Sequence, residues 1–354
     1  MSLSGSNTRT LRAYTFLNMF EEAARRAGIT QEQFTSEVVE IALDLVNLMF
    51  DEMLNLGIQL WGRDRVIIPI YENINRCPAP LGTSLILSVN QRYLQRVIAG
   101  TPFSTEGGTA SLAFDDDFDT ACTQTSGNGS IGTTFTGEQQ ITTVGVLFGA
   151  AAEYSLFYEY TVDGVTWVSA DSGTYTVEDR QWVWVDIEGT PNAIGWRVRN
   201  VGTTPLAIRE LYFGFNPQEI PLGPWNLDDW NSMPVKNTPG VPWNYYQQRD
   251  LDTPVLYIWP MPNAQAKYYQ FVCWRRRYLD TVSAMTQGLD LSRRWYEACT
   301  ASLARRMCRS VPQADMKRYP FLQSEEAEAF ALAAGEERDN SPMRFNPGLD
   351  SYNA

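Results

Sequence analysis

Between Phe34 and about Leu60, apolar side chains return every three or four residues, the repeat of a helix with a covered face. Two stripes emerge. Phe34, Val38, Ile41, Leu45, Leu48 and Leu56 form one, and Val39, Leu43, Val46, Phe50 and Leu54 the other. A helix apolar along two lines is covered on two sides, either at the centre of one core or between its own subunit and a neighbour. Ahead of it, Thr30-Gln31-Glu32-Gln33 predicts a capping box, with Thr30 as the cap, Gln33 reaching back, and Ile29 and Phe34 as the staple. The helix would be ~45 Å long. Trp61 to Ile70 predicts a turn and a short strand around Val66-Ile67-Ile68.

From Pro102 to Phe215 the pattern changes to short extended runs separated by turn residues. Val144 to Phe148, Ser155 to Val162, Thr166 to Ser169, Trp182 to Ile187, Gly195 to Asn200 and Leu206 to Phe213 are the expected strands. Asp163-Gly164 is a hairpin signal, and Trp182 and Trp184 share one face. The pattern is that of a β-sandwich. The remainder opens with an irregular stretch rich in Pro and Trp, Pro217 to Pro262, with strands expected at Val255 to Trp259 and Tyr268 to Trp274. Ser292 is placed to cap a helix to about Ser310 that buries Trp295, Cys299, Leu303 and Met307. A further helix is expected from Ser324 to Arg338, then an extended tail, Ser341 to Ala354. The expected fold class is therefore α+β and multidomain. A discontinuous α-helical body with a few strands, 1–101 and 217–354, carries an inserted antiparallel β-sandwich, 102–216.

Charge sharpens that division. The net charge is −13, yet 102–216 alone holds 15 acidic and 4 basic side chains, while each flank is near neutral. Such asymmetry marks a module with its own surroundings. The chain has no histidine, which removes Ser-His-Asp, Cys-His and H-E-x-x-H chemistry, and no phosphate-binding glycine loop is present. A carboxylate pair is the common hydrolytic device left, so a carboxylate-based cell-wall hydrolase stays open as a minor alternative to a protein that is not an enzyme. The five cysteines lack C-x-x-C spacing and read as buried thiols. No run of 18 apolar residues occurs, so no membrane segment is expected. Met1 to Thr10 lacks the apolar core of a signal peptide, which suggests assembly in a cytosol.

The flanks resemble the head-to-tail adaptor (head completion, tail accessory) proteins of short-tailed bacteriophages. The resemblance is carried in order by the long helix ending in Trp61, by Lys236-Asn237-Thr238-Pro239-Gly240-Val241-Pro242, and by Tyr245-Tyr246 before Arg249-Asp250. It continues through Pro254-Val255-Leu256-Tyr257-Ile258-Trp259-Pro260-Met261-Pro262, Arg275-Arg276-Arg277 and the Trp295 to Met307 helix. It implies a virion structural protein at the head-tail junction, assembled in the host cytoplasm into a ring of about twelve copies under the portal. Its implied partners are the portal protein, tail nozzle or tail-fibre proteins, and itself. Genomic DNA would pass through the channel without sequence-specific binding. Arg275, Arg276, Arg277, Arg293, Arg294, Arg305, Arg306 and Arg309 are the basic side chains available for portal or subunit contact.

The insert resembles discoidin-type (factor 5/8 type C, jelly-roll-like) domains. Ala113-Phe114-Asp115-Asp116-Asp117-Phe118-Asp119-Thr120, Val162-Asp163-Gly164-Val165-Thr166-Trp167, and Trp196-Arg197-Val198-Arg199 with Arg209-Glu210-Leu211 match its blocks in order; Asp116 replaces a usual Gly and Cys122 a frequent Trp. The resemblance implies a calcium ion on Asp115, Asp117, Thr120 and Glu210, hard oxygen donors of the type calcium takes. No other cofactor is called for. It also implies an alternative role as a glycan- or receptor-binding tail protein, with Tyr175 and Trp182 as the sandwich's carbohydrate-binding aromatics.

Overall fold

The computed structural model describes residues 14–56, 60–97, 100–250 and 253–336. Five helices are present among them: α1 (Phe16–Ala27), α2 (Ser36–Leu56), α3 (Leu227–Ser232), α4 (Tyr296–Ser310) and α5 (Tyr319–Glu336). The strands are β1 (Arg63–Pro69), β2 (Arg76–Pro78), β3 (Thr83–Arg96), β4 (Thr101–Ser104), β5 (Cys122–Thr123), β6 (Ser130–Gln139), β7 (Thr143–Phe148), β8 (Ala152–Thr161) and β9 (Val168–Val177). They continue as β10 (Trp182–Asp186), β11 (Ala193–Asn200), β12 (Ala207–Pro221), β13 (Gly223–Trp225), β14 (Pro239–Gly240), β15 (Asn244–Gln248), β16 (Val255–Trp259), β17 (Met261–Pro262) and β18 (Gln270–Arg277).

The chain divides into two compact units, cut at 64/65 and 275/276. The expected cuts at 101/102 and 216/217 are not where it divides. The physical reason lies in β12, which runs unbroken through position 217 and pairs with β7 on one side and β3 on the other. The strands of 65–97 belong with the sandwich, so the expectation of a mainly helical first third is also corrected. Thr83–Arg96 buries Ile86, Val89 and Leu94 among its apolar residues.

The helical unit is built from α1, α2, α4 and α5. The box at Thr30 forms as expected, Thr30 N–H donating to Gln33 Oε1 at 2.9 Å, but it closes only a 3-10 turn. The long helix starts at Ser36, where the Thr35 carbonyl and hydroxyl receive the Val39 and Val38 N–H groups. Its deepest residues are Val38, Ala42, Val46, Met49, Phe50 and Met53, a line that takes Val38 from one expected stripe, Val46 and Phe50 from the other, and Ala42, Met49 and Met53 from neither. Ser292 precedes a 3-10 turn, Arg293–Trp295, and its hydroxyl does not cap the helix; Arg294 Nε donates to it instead. The α4 face is as expected, with Trp295, Cys299, Leu303 and Met307 all buried. Trp295 lies against Trp61 and Phe330, ring centroids 5.8 and 5.1 Å apart. α5 spans Tyr319–Glu336, starting earlier than expected; its expected end at Arg338 and the expected tail at Ser341 to Ala354 lie outside the described residues.

The β unit contains a seven-stranded sheet, β1-β18-β3-β12-β7-β10 with β5 beside β12, and a five-stranded sheet, β4-β6-β11-β8-β9. Period-two alternation in β7 sends Val144, Val146 and Phe148 into the core between these sheets, while Leu147 faces the other way with Trp182 and Trp184. Gly145 is obligatory here. It is the register partner of Trp184, and a Cβ would fall within that ring. A third sheet, β13-β15-β16-β2, contributes Cys77, Tyr245, Leu256 and Ile258 to a second core, shared with Ile86, Phe271 and Cys273. All five cysteines are free and buried. No described helix is long and apolar enough to cross a membrane.

Candidate functional site

The loop Asp115–Thr120 is closed by short-range hydrogen bonds that its own sequence supplies. The Asp117 N–H donates to Asp115 Oδ1 at 3.0 Å and the Asp119 N–H to Asp117 Oδ1 at 2.9 Å. Thr120 Oγ1 donates to Asp115 Oδ2 at 2.9 Å. These are Asx-type turns, the local role of such residues. Asp116 sits at φ +63°, where the related blocks have Gly.

Glu210, on β12, is fully buried and faces the loop. Its partners are the Arg96 guanidinium and the Asp116 N–H, the latter at 3.2 Å. Arg96 also pairs with the Asp116 carboxylate, which accepts from the Tyr268 hydroxyl. Burial raises the Glu210 carboxyl to about 7, with Arg96 pulling the other way. Burial also acts to raise Asp116, but the Tyr268 hydroxyl and Arg96 outweigh it and hold that carboxyl low. Burial pushes the Tyr212 hydroxyl up to about 12. A cation therefore already stands on Glu210, and it belongs to the chain.

The implied calcium ligands are engaged with other groups of the chain. Asp115, Asp117 and Thr120 are occupied with one another, and Glu210 is held by Arg96. Among the described residues, no three acidic or thiol side chains lie close enough to hold an ion. Arg96 gave no sequence signal, because it is 114 residues from its partner.

Beside this cluster lies a cavity of about 570 Å³. Tyr71, Ile74, Phe118, Leu147 and Trp182 line it, with Glu72, Glu178, Asp179, Arg180 and Gln181. Trp182 is 3% exposed, stacked on Trp184 at 4.7 Å and met edge-on by Phe118 at 5.6 Å. Its backbone N–H donates to the Tyr71 hydroxyl at 3.0 Å. Two of the charged lining residues are paired, Asp179 with Arg209 at 3.1 Å and Arg180 with Asp119 at 2.6 Å. Trp182 is thus a wall and not an open platform. Tyr175 does not line the cavity; it is half-buried on β9, edge-on to Tyr158 at 6.5 Å. Tyr71 and Phe118 are lining residues that the sequence did not single out.

The eight arginines named for portal or subunit contact separate by environment. Arg277 pairs with Asp290, Arg305 with Glu326 and Arg306 with Glu52. Arg275 donates to Thr83 Oγ1 at 2.9 Å and to the Leu81 carbonyl at 3.1 Å. Arg276 is half-buried, and Arg293, Arg294 and Arg309 are exposed.

No protein-family model matches the chain, and no curated protein matches it. Solved structures match in part. The family 32 carbohydrate-binding module from C. perfringens NanJ, in complex with galactose, is 13% identical, covering 33% of this chain and 93% of its own, with a TM-score of 0.30. Chitosan-binding module 1 of a chitosanase/glucanase from Paenibacillus sp. IK-5 is 18% identical, covering 35% and 99%, at 0.30. A module of Clostridium perfringens in complex with GalNAc-beta-1,3-galactose is 10% identical, covering 44% and 96%, at 0.28. At these scores the likeness settles neither the fold nor the ligand of this chain.

Proposed function

We propose that the protein is a structural, non-enzymatic component of a bacteriophage particle, a head-to-tail adaptor whose helical unit assembles under the portal. The observation that carries the reading is the second apolar face of two helices. α2 buries Val38, Val46 and Met53 but leaves Leu48 and Leu56 59% and 58% exposed. α5 buries Leu322 and Ala333 but leaves Phe321 and Leu332 70% and 68% exposed. A helix apolar on more than one side is made to be covered on more than one side. The covering subunit would be a neighbour in the ring or the portal, in keeping with the ordered adaptor-like segments. Arg293 and Arg309, both exposed, are placed to meet acidic partner groups. The test is native mass spectrometry of the chain mixed with portal rings. A defined complex is expected for the wild type. Leu48→Glu with Leu56→Glu should retain the helical circular-dichroism spectrum and lose the complex. A wild-type chain that stays monomeric beside the portal rings sinks the reading.

A second reading is glycan binding by the β unit, favoured by the cavity beside Trp182. Its volume is within the range of small-molecule sites, and its aromatic walls and polar rim suit a sugar. Glycan-array binding is the check. Phe118→Ala, which removes one wall, should weaken any hit at least tenfold; a hit indifferent to that change, or no hit, removes the reading.

A further inference from the structure

The outer face of the sheet β13-β15-β16-β2 is paved with aromatic rings. Register places Trp225, Tyr246 and Tyr257 side by side across three strands, and Trp259 opposite Asn244 one step along. The intervening residues Tyr245, Leu256 and Ile258 point into the core, so the paving is the sheet's other face. Trp230 of α3 covers part of it, with centroids 6.2 Å from Tyr246 and 5.4 Å from Tyr257. Lys236 is turned onto Trp230, its Nζ 5.3 Å from the ring centroid and bonded to the Met233 carbonyl at 3.2 Å.

Trp225, Trp259 and Trp243 are not covered in this way. Their centroids step by 5.4 and 5.9 Å, and their planes differ by 31° and 22°. The three rings step across the surface as a terrace, with Trp225 and Trp259 half-buried and Trp243 the most exposed. Trp243 is 62% exposed, yet its backbone is fixed on both sides: its N–H donates to the Trp259 carbonyl at 3.2 Å, and its carbonyl accepts from the Gly223 N–H at 2.9 Å. Trp259 Nε1 donates to the Val235 carbonyl at 3.2 Å, which fixes the middle ring. An indole this exposed fills no core, and its fixed backbone limits the ordering cost of meeting a ligand.

We infer that the Trp225, Trp259 and Trp243 terrace binds a neutral polysaccharide, one sugar ring against each indole. The faces of π-systems are electron-rich and attract the weakly positive C–H groups of a pyranose. The step between rings is comparable to the length of one sugar residue. Asn244, in register between Gly223 and Trp259, offers an amide that can both donate to and accept from hydroxyls. The terrace itself is uncharged, three indoles with the Asn244 amide beside them, which suits a neutral ligand. This site is separate from the cavity beside Trp182 and does not depend on the adaptor role.

Affinity electrophoresis of the full chain through gels containing dextran, mannan, galactan or hydroxyethyl cellulose tests the inference, with alginate as the anionic control. Retardation is expected in at least one neutral gel and not in alginate. Trp243→Ala should raise the Kd at least tenfold with an unchanged circular-dichroism spectrum, and Leu81→Ala, at another exposed apolar position, should bind as the wild type does. Trp225→Ala, on a different strand, serves if Trp243→Ala misfolds. The inference is overturned by migration unaffected in every neutral gel, by retardation that Trp243→Ala and Trp225→Ala leave intact, or by preference for alginate. Trp243-dependent capture of the portal protein in place of any glycan would also overturn it, assigning the terrace to a protein partner.

Discussion

The helical and β units solve the burial of polar groups in opposite ways. In the helical unit the buried polar side chains are Thr300 and Ser302, two hydroxyls on α4, among the described residues. Some of its ion pairs, such as Arg306 with Glu52 and Arg26 with Glu297 at 2.7 Å, engage exposed glutamates. Pairs of that kind contribute little to stability. The β unit buries a guanidinium, Arg92, and two carboxylates, Glu159 and Glu210, each with partners waiting. Apolar packing tolerates many sequences, whereas a buried charge is tolerated only in the arrangement that satisfies it. The helical unit is therefore free to change its surface, and the β unit is locked strand by strand.

The strongest break of that contrast is at Arg92. It is 1% exposed, donates to Gln270 Oε1 at 2.8 Å and pairs with Asp186 at 2.7 Å. Asp186 also receives Arg65 at 2.6 Å and the Thr143 hydroxyl at 3.0 Å, and Arg65 reaches Glu219 at 2.6 Å. One network thus joins β1, β3, β7, β10, β12 and β18. Removing the central cation leaves buried acceptors short of a donor, so Arg92→Ala should cost about 3 kcal/mol or more. Urea unfolding followed by tryptophan fluorescence measures it. A loss below about 1 kcal/mol would show that the β unit is held by its apolar cores alone.

Legibility in the sequence differs between the units for the same reason. Helical periodicity is local, and the spacing of Trp295, Cys299, Leu303 and Met307 by itself marks them as one buried face. The hairpin at Asp163-Gly164 is equally local: Asp163 Oδ1 accepts from the Val165 and Thr166 N–H groups, and Gly164 takes φ +77°. A rival hydroxyl misplaces the start of α2, since Thr30 and Thr35 both precede apolar runs. The boundary near 102 is misplaced because charge changes there while hydrogen bonding does not. The Arg96, Asp116 and Glu210 cluster joins three distant segments, and no spacing in the chain encodes it. The aromatic terrace lies inside a stretch whose Pro content hides its strands; the Trp content is the signal, and only the sheet register brings the rings together.

A smaller and sharper test lies at Glu210, where burial opposes the pairing. Its folded carboxyl stands near 7, above the ordinary value of 4.5. The folded state therefore keeps a proton that the unfolded chain has already lost between those limits, and stability falls as pH rises through that window. Asp116, Asp186 and Glu159 have the opposite sign. Burial raises each, but Tyr268 and Arg96, Arg92 and Arg65, and Arg199 and Arg197 respectively hold them below their ordinary values. Their contribution is present at neutral pH and is lost only in acid, below about pH 4. The two effects occupy separate windows and can be read apart. Glu210→Gln keeps the shape and an acceptor for Arg96 but cannot ionise. Between pH 5 and pH 8 the wild type should lose on the order of 1 kcal/mol relative to that variant, while below pH 4 the two should fall together. Parallel urea midpoints across pH 5 to 8 would mean that Arg96 keeps Glu210 fully charged, and that the β unit holds this carboxylate as tightly as it holds Asp186.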